Sequence, residues 1–72
     1  MNRLMVQMTR VAIEFASDDL KASAKFMYAA ERDITEASTV SLRLRVKYTE
    51  RRLQSARNQI DAALALLRSD HE

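Results

Sequence analysis

The chain contains no cysteine, glycine, proline or tryptophan, and a single histidine, in 72 residues. Each absence excludes something. Without cysteine there can be no disulfide framework and no thiolate metal site. Without glycine and proline the tight turns of a β-rich fold lack their usual residues, which argues for few, long helices. The lone His71 stands next to the C-terminus, where it reads as a solvated tail residue, because a metal or catalytic site needs several converging groups. No glycine-rich phosphate loop, Ser-His arrangement or metal-spaced carboxylate cluster is present. Asp18 and Asp19 are adjacent and would point to different sides of a helix. The expectation is therefore a protein that is not an enzyme and carries no cofactor.

Long apolar runs are missing too. The longest uncharged stretches are six residues, Leu4–Thr9, Ala37–Leu42 and Ala62–Leu67, far short of the roughly 20 needed to cross a bilayer. Glu14 and the lack of a small-residue cleavage site argue against a secretory signal in the amphipathic N-terminal stretch. The chain reads as cytoplasmic, reduced and without a membrane partner. The formal charge of +2 is small, but it is unevenly spread. Residues 1–36 hold five Lys/Arg and six Asp/Glu, and residues 37–72 hold seven and four. Halves of opposite sign suit two elements lying side by side.

Two heptad stripes are present. The first runs Val6, Thr9, Ile13, Ala16, Leu20, Ser23, Met27, Ala30, Ile34. The second combines Thr39, Val46, Leu53, Ile60 and Leu67 with Leu42, Thr49, Ala56 and Ala63. Between them, Thr35-Glu36-Ala37-Ser38-Thr39 is rich in capping residues, with Ser38 or Thr35 as N-cap of the second helix, or Asp33 and Glu36 as a capping box. The expected fold is all-α: an antiparallel helical hairpin, coiled-coil-like, in one domain spanning 1–72. It has a helix over about 3–35, a turn over about 35–39 and a helix over about 39–69. Ser17-Asp18-Asp19 also resembles a helix start, which would split the first half into helices 3–16 and 18–35. The stripe passing through Ala16 and Leu20 favours continuity.

Folding about Ser38 pairs large residues with small ones: Ala30 with Val46, Met27 with Thr49, Ser23 with Leu53, Leu20 with Ala56, Ala16 with Ile60, Ile13 with Ala63, Thr9 with Leu67. Ile34 meets Leu42 at the turn. Close packing favours such complementarity. The expected hairpin core is Ile13, Leu20, Met27, Ile34, Leu42, Val46, Leu53, Ala56, Ile60 and Leu67. On the flanks, Glu31 would sit by Arg43, Asp33 by Arg45, and Phe26 near Arg52.

Apolar residues off the stripes gather toward the open end: Leu4, Met5, Met8, Val11, Phe15, Leu64 and Leu66. Left in water they would be an aggregation liability, so they are the candidate partner-binding residues. A second copy or a different protein could cover them; an N-terminal segment folding back after a break at Ser17 would do the same. The basic row Arg43, Arg45, Lys47, Arg51, Arg52, Arg57 could track phosphates. It lacks interleaved aromatics, so nucleic acid ranks below protein as a partner.

Tyr48, Leu53, Ala56, Ile60, Ala63, Leu64 and Leu67 together resemble the final helix of small bacterial type III secretion co-chaperones of the YscE/EscE/SsaE kind. The resemblance covers about 25 residues and rests mainly on apolar spacing. It implies a helical hairpin that joins a helical-repeat co-chaperone to hold a needle subunit unpolymerised. It also implies that Leu53, Ile60, Leu64 and Leu67 contribute to a core or partner face. The expected function is a small chaperone or adaptor subunit covering an apolar helix of its partner. The alternative is a self-sufficient homodimeric four-helix bundle, with RNA or DNA held along the Arg43–Arg57 row.

Overall fold

The computed structural model describes residues 2–33 and 39–69. They form two α-helices, α1 (Arg3–Asp33) and α2 (Thr39–Ser69), packed on each other as a hairpin with no strand among the described residues. Principal extents of 53 × 14 × 12 Å give a slender rod. The expected all-α antiparallel hairpin is the observed fold. Helix α1 is continuous through Ser17-Asp18-Asp19, so the break considered there does not form. Residues 34–38, which hold most of the turn expected over about 35–39 and its caps, lie outside the described residues, as do the side chains of Asp33 and Thr39.

Local chemistry explains the helix ends that are seen. Asn2 caps α1: its Oδ1 accepts the Met5 N–H at 2.8 Å, and its carbonyl accepts the Val6 N–H at 3.1 Å. The Oδ1 contact satisfies the otherwise orphaned Met5 N–H, while the bond from Val6 is the first regular one of the helix. Arg32 and Arg68 stand in the last turns of α1 and α2, where a cation complements the negative end of the helix dipole.

The seam between the helices is built from small residues. Thr9, Ala12, Ala16, Asp19, Ser23 and Ala30 are buried on α1, and Thr49, Ala56 and Ala63 on α2. The buried hydrophobic residues are all alanine, and no large side chain is fully buried among the described residues. Small side chains let helix axes approach closely, since the side chains at the contact set the interaxial distance. The buried hydroxyls do not disturb this approach. Thr9, Ser23 and Thr49 each donate to the carbonyl four residues back, on Met5, Asp19 and Arg45, at 2.7–2.8 Å. Each polar group is thus satisfied within its own helix.

This seam corrects the expected core. Ala56 is buried and Leu42 half-buried. Ile13, Leu20, Met27, Val46, Leu53, Ile60 and Leu67 are exposed, at 38–55%, and Ile34 lies outside the described residues. The small half of each stripe enters the seam: Thr9, Ala16, Ser23 and Ala30 with Thr49, Ala56 and Ala63. The large half does not. Each helix is instead turned by about one heptad-wheel step, roughly 50°, from the orientation that points the whole stripe at its neighbour. That turn brings in Ala12, Asp19 and half-buried Phe26 on α1, and Arg45, Gln59 and Leu66, also half-buried, on α2. The large-against-small layers are therefore replaced by small against small in the seam.

Candidate functional site: an apolar face along the hairpin

The large residues displaced from the seam are not scattered. Val6, Ile13, Leu20 and Met27 recur every seven residues along α1, and Val46, Leu53, Ile60 and Leu67 do so along α2. Such a row lies along one side of its helix. The two rows share one side of the hairpin: Ile13 and Leu20 line a shallow groove together with Ile60, and Val6 and Ile13 line another with Leu67. Further along, Leu42 and Val46 line a third groove. The result is an apolar band running nearly the length of the rod. Charged residues rim it: Arg10, Glu14 and Lys21 from α1, and Arg43, Lys47 and Glu50 from α2.

The opposite side of the seam is held by a polar contact. Arg52 Nε lies 3.0 Å from Asp19 Oδ1, and Arg52 Nη2 lies 3.5 Å from the Asp18 carbonyl. The Asp19 side chain is only 9% exposed and that of Arg52 44%. Next along, Phe26 and Tyr48 meet with ring centroids 6.0 Å apart and tilted by 35°. Arg52 therefore pairs with Asp19 instead of covering Phe26. Glu31 and Arg43 do not bridge the helices, and both are exposed.

The seven residues expected to form one partner site at the open end are divided among several surfaces. Leu64, one turn from Ile60 and Leu67, borders the apolar band. Met8 and Phe15 are exposed on the other flank of α1, on the side of Ala12 and Asp19. Leu4 and Val11 are exposed farther round the back of that helix. Met5 and Leu66 are half-buried at the seam edge. The basic row is dispersed as well. Arg52 is committed to Asp19, and half-buried Arg45 lines a groove with Phe26, Leu44 and Tyr48. Arg43 and Lys47 rim the apolar band, Arg57 lies on the same seven-residue line as Arg43 and Glu50, and Arg51 is exposed on the back of the helix.

Two structural residues escaped the sequence reading. Asn2 was signalled by its position just before the first apolar residues of a helix. Asp19 was harder, since a carboxylate on a seven-residue line with Met5, Ala12 and Phe26 breaks the apolar pattern that would reveal it.

Among the described residues no helix is long and apolar enough to cross a membrane, and no group of three or more His, Cys, Asp or Glu converges as a metal site would need. Comparison with protein-family models, with curated proteins and with solved structures finds no match, so fold and candidate site rest on the residues of this chain alone.

Proposed function

We propose that this protein is a protein-binding subunit, of the adaptor or chaperone class, that covers apolar helical surface with the Val6–Leu67 band. One observation carries the reading: the hairpin buries alanine and leaves its large hydrophobes exposed, eight of them in two aligned rows. Alanine burial contributes little, at about 0.8 kcal/mol per CH2-sized group, whereas a fully buried Leu or Ile contributes about 1.5–3 kcal/mol. Most of the hydrophobic stabilisation encoded in the sequence is therefore still to be gained, and another helical surface against this band would supply it. The same rows include Leu53, Ile60 and Leu67, with Leu64 beside them, the residues to which the secretion co-chaperone resemblance gives a core or partner role. That resemblance motivates, as the more specific form of the proposal, a subunit that holds a secreted helical protein unassembled. The dispersal of the basic row, with Arg52 tied to Asp19, favours protein over nucleic acid as partner.

A photo-crosslinking residue placed at Leu53 tests the reading in cells. It is expected to form adducts with protein, while the same group at exposed Asn58, on the far side of α2, forms none. Equal labelling from both positions, or none from Leu53, would contradict it.

A further inference from the structure

The chain carries a second message about what covers the band. In a hairpin alone, each helix has one neighbour. In a four-helix bundle each helix has two, roughly a right angle apart, and its core stripe points between them toward the bundle axis. The sequence stripes of this chain aim about one wheel step, roughly 50°, to one side of the partner helix. That offset fits a stripe shared between two neighbours. The small half of the stripe faces the neighbour already present, and the large half faces a neighbour still to come.

We infer that the occupant of the Val6–Leu67 band is a second copy of this chain, joined to the first as an antiparallel four-helix bundle in which α1 of one copy packs beside α2 of the other. This deepens the binding reading and rests on it.

Three features support the second copy and fix its orientation. First, the band matches itself. Ile60 lies beside Ile13 and Leu20, and Leu67 beside Val6 and Ile13, and seven-residue steps continue both rows through Met27, Leu53 and Val46. A two-fold axis parallel to the helices keeps every residue at its own level, so each large pair meets the same pair of the other copy. Self-complementarity of this kind is what an isologous interface requires. Second, the size fits. A face with the 53 Å by 14 Å footprint of the rod has an area on the order of the ~800 Å² per partner that stable interfaces bury.

Third, the rim charges choose the pairing. With α1 beside α2 of the other copy, Glu31 comes level with Arg43, Lys21 with Glu50, and Glu14 with Arg57, opposite in sign each time. With α2 beside α2 instead, Arg57 would meet Arg57 of the other copy near the two-fold axis, and Lys47 would come level with Arg68. Like charges at an interface disfavour that arrangement. The net charges of the two halves of the sequence, −1 for residues 1–36 and +3 for residues 37–72, act in the same direction. The Glu31–Arg43 pair that the hairpin itself does not make is thus available between copies.

Because the chain has no cysteine, single thiols report the arrangement directly. Lys21→Cys and Glu50→Cys full-length chains are mixed, oxidised and separated by mass, with Asn58→Cys as the control outside the band. All three positions are exposed, so the hairpin should fold in each variant, which helical circular dichroism checks. The inference predicts mixed 21–50 dimers in excess of either homodimer. An excess of 21–21 or 50–50 dimers would overturn the pairing of α1 with α2. Cross-linking no greater than that of the Asn58→Cys chain would overturn the second copy. That last result leaves the binding reading standing if the Leu53 photo-crosslink captures a different protein, and it removes both if Leu53 captures nothing.

Discussion

Arg52 Nε sits 3.0 Å from the buried Oδ1 of Asp19, in a seam whose other buried residues are Ala, Ser and Thr. Small side chains allow helices to slide past one another with little change in packing, so a single directional contact has unusual leverage over register. Removing Arg52 would leave a carboxylate in the seam with its cationic partner gone. Because Arg52 is 44% exposed, solvent screening discounts the effect, and Arg52→Ala is expected to cost about 1–3 kcal/mol. Asp19→Ala should cost less than that, since it removes the buried charge itself. The double variant should lose less than the two single losses added together. Chemical denaturation of the four chains measures the coupling, and strict additivity would deny the contact any role.

Ala56 is the most buried residue of the seam, at 2% exposure. Ala56→Leu is expected to force the helices apart and destabilise the protein by about 1–3 kcal/mol. In a chain this small that corresponds to a fall in melting temperature of very roughly 4–8 °C per kcal/mol. A neutral result would mean that the helices are not in close contact there.

Leu53→Ala separates the seam from the band. At 45% exposure Leu53 contributes little within one hairpin, and the substitution should alter an isolated hairpin by well under the 2–5 kcal/mol typical of a buried leucine. Against a covered band it should approach that range. Melting temperatures taken at several protein concentrations distinguish the two, because stability gained by association depends on concentration.

Asn2→Ala removes the side-chain acceptor for the Met5 N–H. The expected loss is about 0.5–2 kcal/mol, with fraying confined to the first turn of α1. Amide exchange at Met5 and Val6 should quicken while Ala16 stays protected.

The hairpin was legible because periodicity and the absence of glycine and proline point the same way. Continuity through Asp18-Asp19 was legible from the stripe, since Ala16 and Leu20 keep it unbroken. What periodicity could not give was the rotation of each helix about its own axis. Thr9, Ala16, Ser23 and Ala30 belong to the same stripe as Val6, Ile13, Leu20 and Met27, and a stripe states only that both sets avoid water. Which set meets the hairpin partner depends on how closely the helices approach, and the small residues permit the closer approach. The rotation also separates Met8 and Phe15 from Leu64, which open-end proximity alone had grouped. Asp19 was unreadable as a seam residue for a related reason: its burial depends on Arg52, 33 positions away in the chain.

The central claim is that the Val6–Leu67 band is covered by protein, in the first instance by a second copy. The most direct test is the molar mass of the full chain in solution by light scattering, with Leu53→Lys measured beside it. The account predicts a dimer for the unmodified chain, and a monomer that keeps its helical circular dichroism for Leu53→Lys. A helical, cooperatively melting monomer for the unmodified chain at every concentration would contradict it.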